Sequence, residues 1–333
     1  MVEVTRGDIV ESVHQVACCA VDDRGKVALS VGSVDAPVFL RSSAKPFIAA
    51  TVMASGAREK FGFEVREIAV MAASHSGEPF HVAAVASILR KIGMDAGALQ
   101  CGTHAPYDER AAADLQAGGQ APSALHNNCS GKHAGILALC KAIGADPATY
   151  MDVDNPAQQR ILAFCARMSD DDARRWPLGV DGCGIPVYAT PLRNAALSFA
   201  RLATQHGVAD TDARALRVVR DAMIEYPEYI AGTGTFDTEL MRVGDGSIAS
   251  KAGAEGVHAV SSIPQGLGFV SKVLDGGPRG RAPLTVAALR ALGSIDAAQA
   301  TKLASFARPV VYNRAGRAVG EIRARDVAVL KAK

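Results

Sequence analysis

The sequence predicts a mixed α/β (α+β) fold in which an antiparallel sheet is assembled from the two ends of the chain, with a helical insert between them. Three observations lead there. β-branched and alternating runs concentrate before residue 40 and after residue 245. Apolar stretches of helical length fill most of 45 to 240. No strand–helix–strand repeat runs through the chain, so a parallel sheet is not indicated. The 333 residues read as a single domain, 1–333, with sheet from about 1–40 and 245–330 and a mostly helical part at about 45–240.

Taken in order, residues 9 to 21 and 26 to 32 read as two strands joined by Asp22-Asp23-Arg24-Gly25, a turn sequence with glycine at its end. Val38-Phe39-Leu40 is extended and leads into Arg41-Ser42-Ser43-Ala44-Lys45-Pro46-Phe47. Residues 45 to 54 are apolar nearly all round, which predicts a buried central helix, with Gly56 as its stop. Helices follow at 65–73, 79–92, 110–116 and 130–143, with Gly93 and Gly144 as C-terminal caps. Asn155-Pro156 opens another to about 168. A strand at Leu178-Gly179-Val180 precedes helices near 190–204 and 211–224. The last third is β-rich near 247–251, 256–262 and 267–274, has two helices near 284–305, and ends in a hairpin across Asn313-Arg314-Ala315-Gly316.

Composition narrows the function classes. The chain is 49% hydrophobic but only 5% aromatic, a globular composition that packs small side chains closely. Its 36 basic and 34 acidic residues are spread along the sequence, leaving no basic stripe for a nucleic-acid partner. The acidic run Asp170-Asp171-Asp172 is answered at once by Arg174-Arg175 and reads as a solvated turn. The first ten residues carry Glu3 and Asp8 where a signal peptide needs a basic end and an apolar run, so a cytoplasmic location is expected. No stretch has the length of a membrane helix, and no membrane partner is expected. Seven cysteines, with Cys18 and Cys19 pointing to opposite faces of one strand, do not suggest a disulfide framework.

The chemistry-bearing residues fall into three groups. Ser42 and Lys45 are three apart where an extended run enters a helix, a spacing that brings a hydroxyl and an amine to one face. A lysine kept neutral there accepts the serine proton, and the helix N-terminus favours the developing alkoxide. A Ser-x-x-Lys pair alone is expected about once in a chain this long. Ser74-His75-Ser76-Gly77 forms a loop before Pro79, and a plainer reading makes its serines caps of the following helix. Ser250-Lys251-Ala252-Gly253 puts a lysine at a strand end beside small residues that leave room for a substrate. The order Ser-x-x-Lys, serine loop, Lys-small-Gly is that of serine β-lactamases and penicillin-binding proteins. Finally, Cys129, Lys132 and Cys183 could bind a soft metal such as zinc, with His133 the more conventional ligand beside them. Buried unpaired thiols are the alternative.

The segments RSSAKPF (41–47), ASHSGEPFH (73–81), HNNCSGKHAG (126–135), VDGCGIPVYATPL (180–192), GTGTFDT (232–238) and SKAGAEG (250–256) resemble the rhizobial-type L-asparaginase family, also called asparaginase II, over essentially the full chain. The resemblance implies a three-layer α/β fold of serine β-lactamase and glutaminase-like architecture and a homodimer. It implies two Ser-Lys tandems, Ser42 with Lys45 and Ser74 with Lys251, and a zinc ion held by Cys129, Lys132 and Cys183. Arg41, His133 and Asp181 match positions in or around the site. The implied substrate is L-asparagine, attacked through an acyl-enzyme whose oxyanion is stabilised by backbone N–H groups near the nucleophile. Of the two serines, Ser42 is favoured as the nucleophile because its lysine is set by helix geometry, and Ser74 with Lys251 would then relay protons. Glutaminase, a penicillin-interacting hydrolase, or a non-catalytic zinc-binding protein are the alternatives to be distinguished.

Overall fold

In the computed structural model, which describes residues 1–325, side chains 16–21 are buried on both faces of their strand, the pattern of a strand covered above and below. This strand, Val16–Asp22, is second in a five-stranded antiparallel sheet ordered Val27–Val31, Val16–Asp22, Leu267–Val273, Val257–Ser262, Ile248–Ala252. The two ends of the chain therefore share one sheet, as the sequence predicts, and Asp22 to Lys26 closes the expected hairpin.

Strand parity shows what covers the two faces. Ser261 stands opposite Gly268, and its Oγ donates to the Phe199 carbonyl of helix Leu192–Thr204 at 2.7 Å. His258 is three positions away on the same strand, hence on the other face, and its Nδ1 lies 2.9 Å from Thr285 Oγ1 of helix Arg281–Ala291. The result is helix, sheet and helix in three layers. Gly268 makes the first contact close: a Cβ there would lie 2.0 Å from the Ala196 carbonyl oxygen.

A second antiparallel sheet of four strands runs Val310–Tyr312, Ala318–Ala324, Val2–Arg6, Ile9–His14. It corrects the reading of 9 to 21 as one strand. The chain breaks at Gln15, and the two pieces join different sheets. The first is largely exposed and the second buried, a difference of environment that alternation cannot register. The terminal hairpin is as expected, with Asn313 Oδ1 accepting from the amides of Ala315 and Arg317. Glu3 holds its ends, taking Arg323 and Arg325 at 3.3 and 2.9 Å. Residues 326–330 of the expected sheet lie outside the described residues.

These elements make up one compact unit, residues 1–43, 190–204 and 239 onward; 44–189 and 205–238 form a second. The second unit is mostly helical. Helix Lys45–Ala54 is buried from 45 to 53 and packs against helices Ser130–Ile143, Pro156–Ser169 and Asp210–Glu225. Helix Ser130–Ile143 crosses Val65–Met71 at Gly131, where a Cβ would lie 2.1 Å from the Val70 carbonyl oxygen. Asp108 and Asn155 cap helices Glu109–Ala117 and Pro156–Ser169, each accepting an amide of the first turn. All seven cysteines are free, and among the described residues no helix is long and apolar enough to cross a membrane.

Candidate functional site

In the second unit the site is built on Lys45, the first residue of helix Lys45–Ala54, with Pro46 in the first turn where no amide donor is needed. Lys45 is 1% exposed. Its Nζ donates to the Ala73 carbonyl at 2.7 Å and to Ser74 Oγ at 2.9 Å, with the Asn128 carbonyl at 3.5 Å. Burial depresses this ammonium most; the Cys129 sulfur opposes, Lys132 adds to the depression, and the lysine lies below its ordinary range.

Ser74 follows the helix Val65–Met71 in a loop pinned at several points. The Ser74 amide donates to Ile230 O at 2.9 Å and the His75 amide to Asn128 O at 3.2 Å. Ser130 Oγ gives its proton to Leu125 O, so His75 must donate through Nε2 to Ser130 (2.8 Å) while its Nδ1 accepts from the Gly77 amide. The amides of Ser74, His75 and Gly77 are thus already engaged. Nor do the serines cap the next helix. Glu78 holds the N-cap position and clamps segment 232–235: its carboxylate accepts from Ser76 Oγ, the Thr233 amide and Thr233 Oγ1, each at 2.8 Å. Gly232 permits this approach, since a Cβ there would lie 2.2 Å from Ser76 Oγ.

Cys129, Lys132 and Cys183 come together as expected. Cys129 precedes helix Ser130–Ile143, Lys132 lies one turn along it, and Cys183 sits in the turn between strands Leu178–Val180 and Pro186–Pro191, which closes through Asp181 and Gly184 (φ 90°). Lys132 Nζ donates to Cys183 Sγ at 2.9 Å and lies 4.0 Å from Asp181 Oδ2. A hydrogen bond from Cys183 holds the Cys129 thiol well below its usual range, against burial, with Lys132 and Lys45 assisting. Burial would lower Lys132, but the two sulfurs outweigh it and keep its ammonium form. Two sulfurs in a dry setting suit a soft ion such as zinc, and the Lys132 nitrogen would join them only on giving up its proton to the ion. Among the described residues no group of three or more His, Cys, Asp or Glu is disposed to hold a metal, so an ion here would need the Lys132 nitrogen. His133 is fully buried, with Nδ1 2.7 Å from Tyr150 Oη. Burial first, then the neighbouring lysines, keep it from protonating.

The first unit carries Arg41, Ser42 and Lys251. Arg41 and Ser42 lie in the short 3-10 turn Arg41–Ala44, where Arg41 is in the left-handed region at φ 51°. Lys251 is fully buried in strand Ile248–Ala252; its carbonyl accepts from Ser43 Oγ at 3.1 Å and its Nζ donates to Ala252 O. The room beside Gly253 is filled rather than left for a substrate, since a Cβ there would meet Leu40 O at 2.7 Å and Ser43 Oγ at 2.8 Å. Sequence reasoning missed Ser43, Glu78, Asn128 and Tyr150. Ser43, Glu78 and Asn128 stand inside the motifs 41–47, 73–81 and 126–135 without a role of their own there, and Tyr150 meets His133 only through the fold.

The family model for L-asparaginase II matches residues 2–324. No match was found among the curated proteins. Among solved structures, the crystal structure of Mglu in its native form is similar at 14% identity and a TM-score of 0.38, over 85% of this chain and 62% of that one. Mglu in its tris and glutamate form gives 12% and 0.33, over 80% and 57%. The chain spans less than two thirds of the length of either. The family match runs over nearly every residue from which the two units are built: the chain belongs to the L-asparaginase II family.

Proposed function

We propose that the protein is an L-asparaginase that hydrolyses the side-chain amide of L-asparagine to L-aspartate and ammonia through a serine-bound acyl intermediate, with Lys45 as the base. The observation that carries this reading is the buried hydrogen bond of 2.9 Å between Lys45 Nζ and Ser74 Oγ. In its neutral form, favoured by burial, Lys45 takes the Ser74 proton as Oγ attacks the amide carbon. The C–N bond breaks, and the leaving group departs as ammonia with that proton. Water then gives a proton to the same amine as its oxygen attacks the β-aspartyl ester, and when the ester C–O bond breaks the amine returns that proton to Ser74 Oγ, releasing L-aspartate. Ser42, three residues before Lys45 in the chain, is the second candidate nucleophile. Arg41 and Lys251 are assigned to substrate binding and proton transfer on the resemblance.

Cys129, Lys132 and Cys183 are the residues that would hold zinc, with Asp181 at their edge. When bound, the ion supplies a fixed positive charge for an oxygen of the substrate. The working form is proposed to be a cytoplasmic homodimer.

The test is ammonia release from L-asparagine and, for comparison, L-glutamine, by wild type, Ser74→Ala and Ser42→Ala, with acid-quenched peptide mass spectrometry to locate the aspartyl adduct. The adduct is expected on Ser74, with turnover lost by about 10³-fold in Ser74→Ala. An adduct on Ser42 reassigns the nucleophile. Undiminished turnover in both serine variants rejects the mechanism.

A further inference from the structure

Tyr150 is the largest of the fully buried side chains, and its phenol has two partners among the described residues. Tyr150 Oη accepts the Gln100 amide at 2.8 Å and lies 2.7 Å from His133 Nδ1, the two rings standing nearly perpendicular at 89°. His133 Nε2, at the far side of a ring with no exposure, has no hydrogen-bond partner among the described residues.

Hydrogen accounting separates the two neutral tautomers. If Nδ1 carried the proton it would donate to Oη; the phenol hydrogen would then be buried without an acceptor, as would the Nε2 lone pair without a donor. If Nε2 carries the proton, the phenol donates to Nδ1, Oη still accepts from Gln100, and a single group, the Nε2–H, is left unpaired. Buried polar groups are rarely left without partners, so the second arrangement holds.

We propose that Tyr150 is a positioning residue that fixes His133 as the Nε2–H tautomer, so that His133 offers a hydrogen-bond donor to an oxygen of the substrate and no lone pair to a metal. The first half follows from the geometry alone; the second rests on reading the site as an asparaginase. It also accounts for the ligand set, since His133 adjoins Lys132 in the chain yet is oriented by Tyr150.

The tautomer is read without turnover, by two-bond proton–nitrogen correlation spectra of the ¹⁵N-histidine-labelled full chain at neutral pH, assigned with His133→Gln. Wild type is expected to show a protonated Nε2 and a bare Nδ1, and Tyr150→Phe to lose that preference. In ammonia-release kinetics Tyr150→Phe should raise KM about tenfold with kcat little changed, the worth of one hydrogen bond. His133→Gln, whose amide keeps a donor near the Nε2 position, should retain a lower KM than His133→Leu. A protonated Nδ1 in wild type, or a tautomer unaltered in Tyr150→Phe, overturns the assignment to Tyr150. A KM equal in His133→Gln and His133→Leu overturns the donor role. If no form releases ammonia from L-asparagine, the asparaginase reading fails while the spectra still decide the tautomer.

Discussion

Lys45 Nζ lies 2.9 Å from Ser74 Oγ although 29 positions separate the two residues in the chain. The amine starts one helix, the hydroxyl follows another, and the Asn128 carbonyl, which accepts the His75 amide, stands 3.5 Å from the same Nζ. The proposed role of Lys45 as a base rests on this enclosed contact with a hydroxyl.

If Lys45 works as a base, charge alone will not replace it. Lys45→Arg and Lys45→Met are both expected to lower kcat for L-asparagine by about 10³-fold, because a guanidinium is not deprotonated in proteins. Steady-state ammonia release measures it. Arginine activity within tenfold of wild type would show that Lys45 contributes charge and not proton transfer.

Among the glycines that hold backbones closer than any side chain allows are Gly268 and Gly131, one in each unit. A methyl at Gly268 would lie 2.0 Å from Ala196 O, and one at Gly131 2.1 Å from Val70 O. Gly268→Ala and Gly131→Ala should each cost about 3 kcal/mol or more, since neither neighbour can move without its helix or strand. Urea unfolding measures the loss. Gly182→Ala, where a methyl meets nothing within 4 Å, is the control and should stay within about 0.5 kcal/mol of wild type.

Stability should fall with acid through His81. Burial depresses this imidazole to about 4, from an ordinary value of 6.5, although its ring nitrogen bonds to Glu228 O. With the folded value below the unfolded one, the unfolded chain takes up the proton first. The contribution is whole above pH 6.5 and is lost as pH falls toward 4, about 3 kcal/mol in all. His75, also depressed chiefly by burial, acts in the same direction. Urea midpoints between pH 7 and 4.5 should decline less steeply in His81→Gln than in wild type. Parallel profiles would remove His81 as a cause.

The proposed zinc can be counted directly. Wild type purified without chelator is expected to carry about one zinc per chain by plasma mass spectrometry, and Cys129→Ser and Cys183→Ser well below that. Chelation should lower Tm of wild type and leave the depleted variants unmoved, because a ligand bound only by the folded state stabilises it. Equal zinc in wild type and Cys183→Ser would dispose of this ligand set.

What the sequence determined by itself is what short-range rules encode. Alternation, helical period, Asn and Gly at turns, and Pro46 and Pro156 at helix starts placed most of the strands and helices and their order. The family was legible in motifs long enough to defeat chance, and the spacing of Cys129 and Lys132 rests on one helical turn. Tertiary structure decided the rest. Cutting 9–21 between two sheets, joining Lys45 to Ser74, clamping Thr233 with Glu78 and setting His133 against Tyr150 all depend on which surfaces meet. Local periodicity tells a residue which face of its own element it occupies; its partner is chosen by close packing among elements far apart in the chain, and nothing in the spacing of either residue carries that information.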